Sequence, residues 1–134
     1  MHLSILTPSR EFCTEQVVSI SLQGYYGTFV IKPRHTPFVA ALTEGVVKII
    51  TETEEKEAAI MGGFIEVQNN RAVMLTDAAE WPHEIDCPRA REALERAKRR
   101  LEQEELEEEL DRERALKALT RAEIRLKLGL MDNN

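Results

Sequence analysis

Two different spacings of apolar residues divide this chain. Between Val18 and Leu22 apolar and small polar residues alternate, the period of a half-buried strand. Similar short apolar runs occupy residues 3–6, 29–31, 38–42, 46–51, 58–61, 64–67 and 73–76. Turn chemistry separates them. Gly24 and Gly27 flank Tyr25-Tyr26, Glu44-Gly45 precedes one run, Gly62-Gly63 another, and Asn69-Asn70 suits the left-handed backbone of a tight hairpin. This spacing predicts seven or more strands in a sandwich or barrel. Pro33 and Pro37 bracket Arg34-His35-Thr36, which reads as an irregular corner or edge.

Past Pro88 the period changes to that of a helix. Residues 89–128 contain no Gly and no Pro and are rich in Ala, Leu, Glu, Arg and Lys. Asp86 can cap the first free N–H groups, and Pro88 is tolerated in a first turn. Ala90, Leu94, Ala97 and Leu101 form one apolar stripe, continued by Leu106 and Leu110. Leu116, Leu119, Ala122 and Leu126 form a second, and the line breaks near Asp111–Arg114. Two conformations fit: an unbroken helix about 60 Å long, or an antiparallel hairpin turning within residues 102–114. The many alanines give any helix–helix seam little area to bury, and the run of glutamates at 104–109 repels itself in a compact form. The expected class is therefore mostly β plus α. An N-terminal β domain, residues 1–85, is followed by a helical tail, residues 86–134, that forms a two-helix hairpin, either a stable pair with an acidic elbow or a hairpin able to extend.

Charge narrows the function classes. Residues 1–88 carry 6 Lys/Arg against 12 Asp/Glu, and residues 89–128 carry 12 against 11, so neither part has the basic surface a nucleic-acid arm needs. Cys13 and Cys87 are the only cysteines, and His2, His35 and His83 are scattered, so neither a metal site nor a disulfide framework is expected. No apolar stretch approaches the roughly 20 residues that span a bilayer, and Met1–Pro8 lacks the basic and apolar regions of a signal peptide. Membrane association is expected only through a partner. There is no nucleophile–base pair, so an enzyme is the least favoured class. His35 reads as a hydrogen-bonded structural histidine, and Gly24–Gly27 lacks the Gly-Lys-Ser/Thr ending of a phosphate loop.

Particular stretches carry a family resemblance. Pro33-Arg34-His35-Thr36-Pro37, followed by Leu42 and Gly45, looks like a Pro-x-His-x-Pro segment. Gly62-Gly63-Phe64-Ile65-Glu66-Val67 looks like a Gly-Gly-Phe-x-Glu-Val strand, and Asp77-Ala78-Ala79-Glu80 like the segment that closes a sandwich. With the charged helical tail, these make the chain resemble the epsilon subunit of bacterial F-type ATP synthases over nearly its whole length. One departure is Val30-Ile31-Lys32-Pro33, where the family often has Gly-Ile-Leu-Pro. The resemblance implies a non-catalytic rotor subunit of the central stalk, peripheral on the cytoplasmic face of the cell membrane. Its β-sandwich would contact the gamma subunit and the c-subunit ring and couple rotation to catalysis. Its tail would inhibit ATP hydrolysis, contracted on the sandwich or extended toward the catalytic beta subunits.

The resemblance also implies a regulatory ATP site. Ile85-Asp86-Cys87-Pro88-Arg89-Ala90 matches the family's Ile/Leu-Asp-x-x-Arg-Ala motif. Glu80 takes the place of an upstream acid, Arg96 of a downstream arginine, and Arg121 and Arg125 of phosphate-binding arginines in Ala118–Leu126. The implied ATP residues are thus Glu80, Ile85, Asp86, Arg89, Arg96, Arg121 and Arg125; whether magnesium takes part is open. Asp86, Arg89 and Arg96 share about one helix face, and Arg121 and Arg125 another. A hairpin could converge the four guanidinium groups, which would repel until an anion joined them. The bland alternatives are that Asp86 only caps the helix and that Arg89 and Arg96 pair with Glu92 or Glu95. From another class, a free-standing coiled-coil adaptor or co-chaperone would self-associate through Leu101, Leu106 and Leu110.

Overall fold

A computed structural model of the chain describes residues 1–103 and 109–132. It comprises two compact units, Met1–Trp81 and Pro82–Asn134.

The first unit is the β-sandwich. Its strands are β1 (His2–Leu6), β2 (Glu11–Gln16), β3 (Ser19–Gly24), β4 (Gly27–Ile31), β5 (Phe38–Ile50), β6 (Glu55–Gln68), β7 (Arg71–Leu75) and β8 (Ala79–Glu80). They hydrogen-bond in the order β2-β1-β7-β6-β5-β3-β4, with β8 also on β6. The β1–β7 pair is parallel and all other pairs are antiparallel. Alternation places Leu3, Ile5, Ile20, Leu22, Ile65 and Met74 in the core, each at most 2% exposed.

The long strands differ from the sequence expectation. Runs 38–42 and 46–51 are one strand, β5, and runs 58–61 and 64–67 are one strand, β6. Glu44-Gly45 and Gly62-Gly63 are not turns but irregular points inside these strands. At Gly62-Gly63, with φ of 74° and 113°, β6 changes neighbours. It pairs with β8 at Ala59–Ile60 and with β7 at Phe64–Gln68. A Cβ on Gly63 would stand 1.9 Å from the Leu75 carbonyl oxygen, so only hydrogen fits there. Strand β2 has no counterpart among the apolar runs, because Glu11-Phe12-Cys13-Thr14-Glu15-Gln16 has no clean alternation. Asn69 and Asn70 adopt positive φ at the β6–β7 turn, as their composition suggests. In the corner after β4, the His35 ring shares a hydrogen bond at 2.7 Å with the Thr36 carbonyl, and its edge meets Phe38.

One end of this unit is tied by rings and charges. Trp81 stacks on Phe12 with centroids 4.4 Å apart, Lys56 lies 5.3 Å over Trp81, and Lys56 pairs with Glu15 at 2.7 Å. Burial opposes the Lys56 charge, but the hydrogen bond from Lys56 to Glu15 and the carboxylate's charge outweigh it and hold the ammonium above its ordinary range. Burial, reinforced by the Glu15 charge, pushes the neighbouring Cys13 thiol up to about 11.

The second unit opens with a single 3₁₀ turn, Pro82–Glu84, followed by α1 (Cys87–Glu102) and α2 (Glu109–Asp132). The helices pack together, and the turn packs on α2. They run antiparallel, since Gly129 near the end of α2 lies against Ile85 and Cys87 at the start of α1. The hairpin alternative is thus the one adopted, with α1 ending and α2 beginning inside the expected interval. The seam is corrected in part: Ala122 is buried as expected, but the leucines of that stripe are not. Leu116 is exposed, and Leu119 and Leu126 are only half-buried. The buried line on α2 is Ala115, Ala122 and Gly129, spaced by sevens, joined by Leu128, and faces Ala90 and Ala97 of α1. Leu110 is exposed, and Leu106 lies outside the described residues.

Candidate functional site

The start of α1 is built by local chemistry. Asp86 has extended backbone, φ −82° and ψ 95°, and its Oδ1 accepts the Arg89 N–H at 3.1 Å. That satisfies one of the free donors of a first turn and puts a carboxylate at the positive end of the helix. Pro88 occupies a first-turn position where no N–H is needed. Ile85 is buried at 9% exposure and anchors the entry, whereas Asp86 and Arg89 face solvent. The capping role expected of Asp86 is therefore present, and the motif's Asp and Arg meet through the backbone.

The remaining arginines are placed by the seam. Arg89 and Arg96 each precede a buried alanine of α1, Ala90 and Ala97, and Arg121 precedes Ala122 of α2. Because the helices run in opposite directions, the residue just before a seam position falls on the same flank of the pair in both. Arg125 lies one turn beyond Arg121, between that flank and the seam. Counting equal rises from the Gly129 contact puts Arg125 level with Ala90 and Arg121 level with Leu94. Arg89, Arg96, Arg121 and Arg125 thus share one side of the hairpin over an axial span of about 10 Å. Arg121 and Arg125 are half-buried, Arg89 and Arg96 exposed. Arg114, one heptad before Arg121, follows the same line toward the far end and lies outside the family motif that marks Arg121 and Arg125. Glu80 belongs to the first unit, where it ends β8 opposite Ala59.

Comparison with known proteins identifies the frame. Residues 1–82 match the family model described as ATP synthase, Delta/Epsilon chain, beta-sandwich domain, and residues 83–128 match its long alpha-helix domain. The ATP synthase epsilon chain of Caldicellulosiruptor bescii is 45% identical over 102 residues, 76% of this chain and 74% of that one. The chain belongs to the ATP synthase epsilon family. The epsilon chain of Alkaliphilus metalliredigens is 44% identical over 77% of each chain. Among solved structures, a chain of the Euglena gracilis mitochondrial ATP synthase superposes with TM-score 0.79 at 24% identity, over 96% of this chain and 79% of that one. A chain of the Tetrahymena thermophila mitochondrial ATP synthase central stalk and c-ring gives TM-score 0.67 at 14% identity, over 96% and 95%. Both likenesses extend the epsilon fold to distant assemblies.

Two surface features complete the epsilon frame. Across β5, β6 and β7, Ala41, Phe64 and Leu75 stand in one register row, with Val39 and Val73 on either side of the exposed Glu66 in the next. All five apolar residues are exposed, Phe64 at 60% and Val39 at 67%. An apolar row this long on a sheet face is a mark of an interaction surface. Among the described residues no cluster of His, Cys, Asp or Glu could hold a metal ion, and no helix is long and apolar enough to cross a membrane.

Proposed function

We propose that this epsilon chain is a non-catalytic rotor subunit of ATP synthase. Its helical unit restrains ATP hydrolysis, and ATP binding favours the folded hairpin. The observation that carries the ATP part is the arginine flank. Four guanidinium groups lie along one side of a hairpin that buries mainly methyl groups. Arg forks suit phosphate oxygens, so an anion of several charges can be held along this flank. The Asp86 carboxylate, at the head of the flank, is an acceptor for the adenine amino group or a ribose hydroxyl. ATP then joins α1 to α2 and acts as the missing part of a thin seam.

The docking part rests on the sandwich. The exposed Val39–Phe64–Leu75 face supports contact with the gamma subunit and the c-subunit ring, in keeping with the central-stalk and c-ring assembly of the Tetrahymena relative in fold. That contact holds the subunit peripherally at the cytoplasmic face of the cell membrane. When the hairpin opens, Arg112, Arg114, Lys117, Arg121, Arg125 and Lys127 of α2 become available to acidic surface on the catalytic beta subunits. The arginines of α2 then serve ATP in one state and protein in the other.

A ligand moves such an equilibrium only by its preference for one state, and turning 1:99 into 99:1 needs about 5.5 kcal/mol. Plentiful ATP therefore relieves the restraint by degrees. Titration calorimetry on the isolated chain tests the site. Millimolar ATP should give saturable heat that Arg89→Ala and Arg121→Ala each reduce, and repeating it with EDTA or excess magnesium decides the metal's part. Absence of heat, or heat indifferent to both substitutions, refutes the ATP role.

A further inference from the structure

We propose that Gly129 is a positioning residue for the hairpin. Its missing side chain lets the end of α2 seat against Ile85 and Cys87, and so sets how firmly the two helices close beside Asp86 and Arg89. Residues 89–128 contain no glycine. Gly129 is the first, and it lies inside α2, which stays helical through Asp132, so it does not serve as a C-terminal cap. A glycine within a helix disfavours it about fivefold relative to alanine, a cost that close packing at the position can offset.

The reason is visible in the seam. Ala115, Ala122 and Gly129 recur every seven residues along the buried line of α2. The side chain shrinks from a methyl group to a hydrogen where the opposing surface changes from the alanines of α1 to the larger Ile85 and Cys87. A Cβ on Gly129 would come within 2.6 Å of Cys87 Sγ, 3.0 Å of Ile85 Cγ2 and 3.3 Å of Ile85 Cβ. The first is below any real carbon–sulfur contact, so the Cys87 side chain must turn away or the helices must separate at this end, and the Ile85 contacts press toward the second. Ile85 and Cys87 belong to the motif whose Asp86 caps α1, and Arg125 lies one turn from Gly129. A wedge at Gly129 therefore moves Arg125 away from Arg89.

The closing experiment is a double-mutant cycle read by amide hydrogen exchange with mass spectrometry on the full chain. The variants are Gly129→Ala, Cys87→Ala and both together. Peptides from β5 and β6 report that each variant is folded. Helix propensity changes equally in both cysteine backgrounds, so it cancels in the cycle. The expected result is that Gly129→Ala speeds exchange in the last half of α2 at least threefold more with Cys87 present than with Cys87→Ala, where the sulfur is gone. Equal effects in the two backgrounds, or uniform slowing of about fivefold as propensity alone demands, overturn the proposal. For affinity the proposal rests on the ATP reading, and calorimetry separates the two. ATP binding weakened by Gly129→Ala and restored by adding Cys87→Ala supports both. Wild-type binding with no change in Gly129→Ala overturns the positioning role. No binding by any variant sinks the ATP reading and leaves the exchange cycle to judge Gly129.

Discussion

Replacing Gly63 by alanine should damage the sandwich more than any other one-methyl change at its glycines. The φ of 113° lies where side chains are strained, which costs about 1–3 kcal/mol. The new Cβ would also meet the Leu75 carbonyl oxygen at 1.9 Å and Thr76 Cα at 2.8 Å. Both are backbone of β7 and its exit, so no rotamer change relieves them. Moving that peptide strains the Phe64–Leu75 pairing and the hydrogen bond from Thr76 N–H to the Leu6 carbonyl at 3.0 Å. Overpacking of this kind adds about 1–3 kcal/mol. The sum, about 2–6 kcal/mol, is a large share of the 5–15 kcal/mol typical of a domain. Gly27 provides the control. Its φ is 118°, but a Cβ there would meet nothing within 4 Å. Urea unfolding followed by Trp81, the only tryptophan and one stacked on Phe12 inside the unit, compares the two variants. With a urea slope of about 1 kcal/mol/M, Gly63→Ala should lower the midpoint by about 2 M or more, and Gly27→Ala by about half of that. Equal losses in the two variants would refute the close-contact argument and leave only the strain.

Cys13 gives a pH prediction. Its folded value of about 11 lies above the ordinary 9.0, so its contribution is fully present below pH 9 and is lost as pH rises toward 11. The loss is about 2–3 kcal/mol, and Lys56, also raised, adds to it in the same direction at still higher pH. Unfolding at pH 8, 9.5 and 11 should show this slope, and Cys13→Ala should flatten it; an unchanged slope would reassign the effect. Truncation after Arg89 should raise ATPase activity in the assembled enzyme while leaving assembly intact, and unchanged activity would count against the restraint.

The sandwich was legible because most of its strands alternate cleanly and its turns carry Gly, Pro and paired Asn. Strand β2 was hidden, since Phe12 and Cys13 are adjacent buried residues flanked by polar ones. Gly62-Gly63 misled for a physical reason. Glycine permits positive φ equally in a turn and in a strand that changes partners, and only the neighbouring Leu75 backbone tells them apart. In the helical unit the cap at Asp86 and the extent of α1 could be read locally. The face of α2 could not. The apolar period placed Ala122 on the buried line, but hydrophobicity added the leucines at 116, 119 and 126, whereas close helix packing selected the smaller Ala115 and Gly129.

The small-residue seam has a consequence for temperature. Heat-capacity change on opening follows the apolar area exposed, at about 0.45 cal/K/mol per Å². An interface built mainly on Ala90, Ala97, Ala115, Ala122 and Gly129, with Leu128 and Ile85 as its large buried side chains, exposes less such area when α2 leaves α1 than a leucine seam would. The opening enthalpy then varies less with temperature, and the logarithm of the opening constant runs straighter against inverse temperature. The sandwich, with its Ile and Leu core, has instead the curved stability of an ordinary domain. One chain thus joins a unit whose order depends strongly on water to an arm whose position depends on it less.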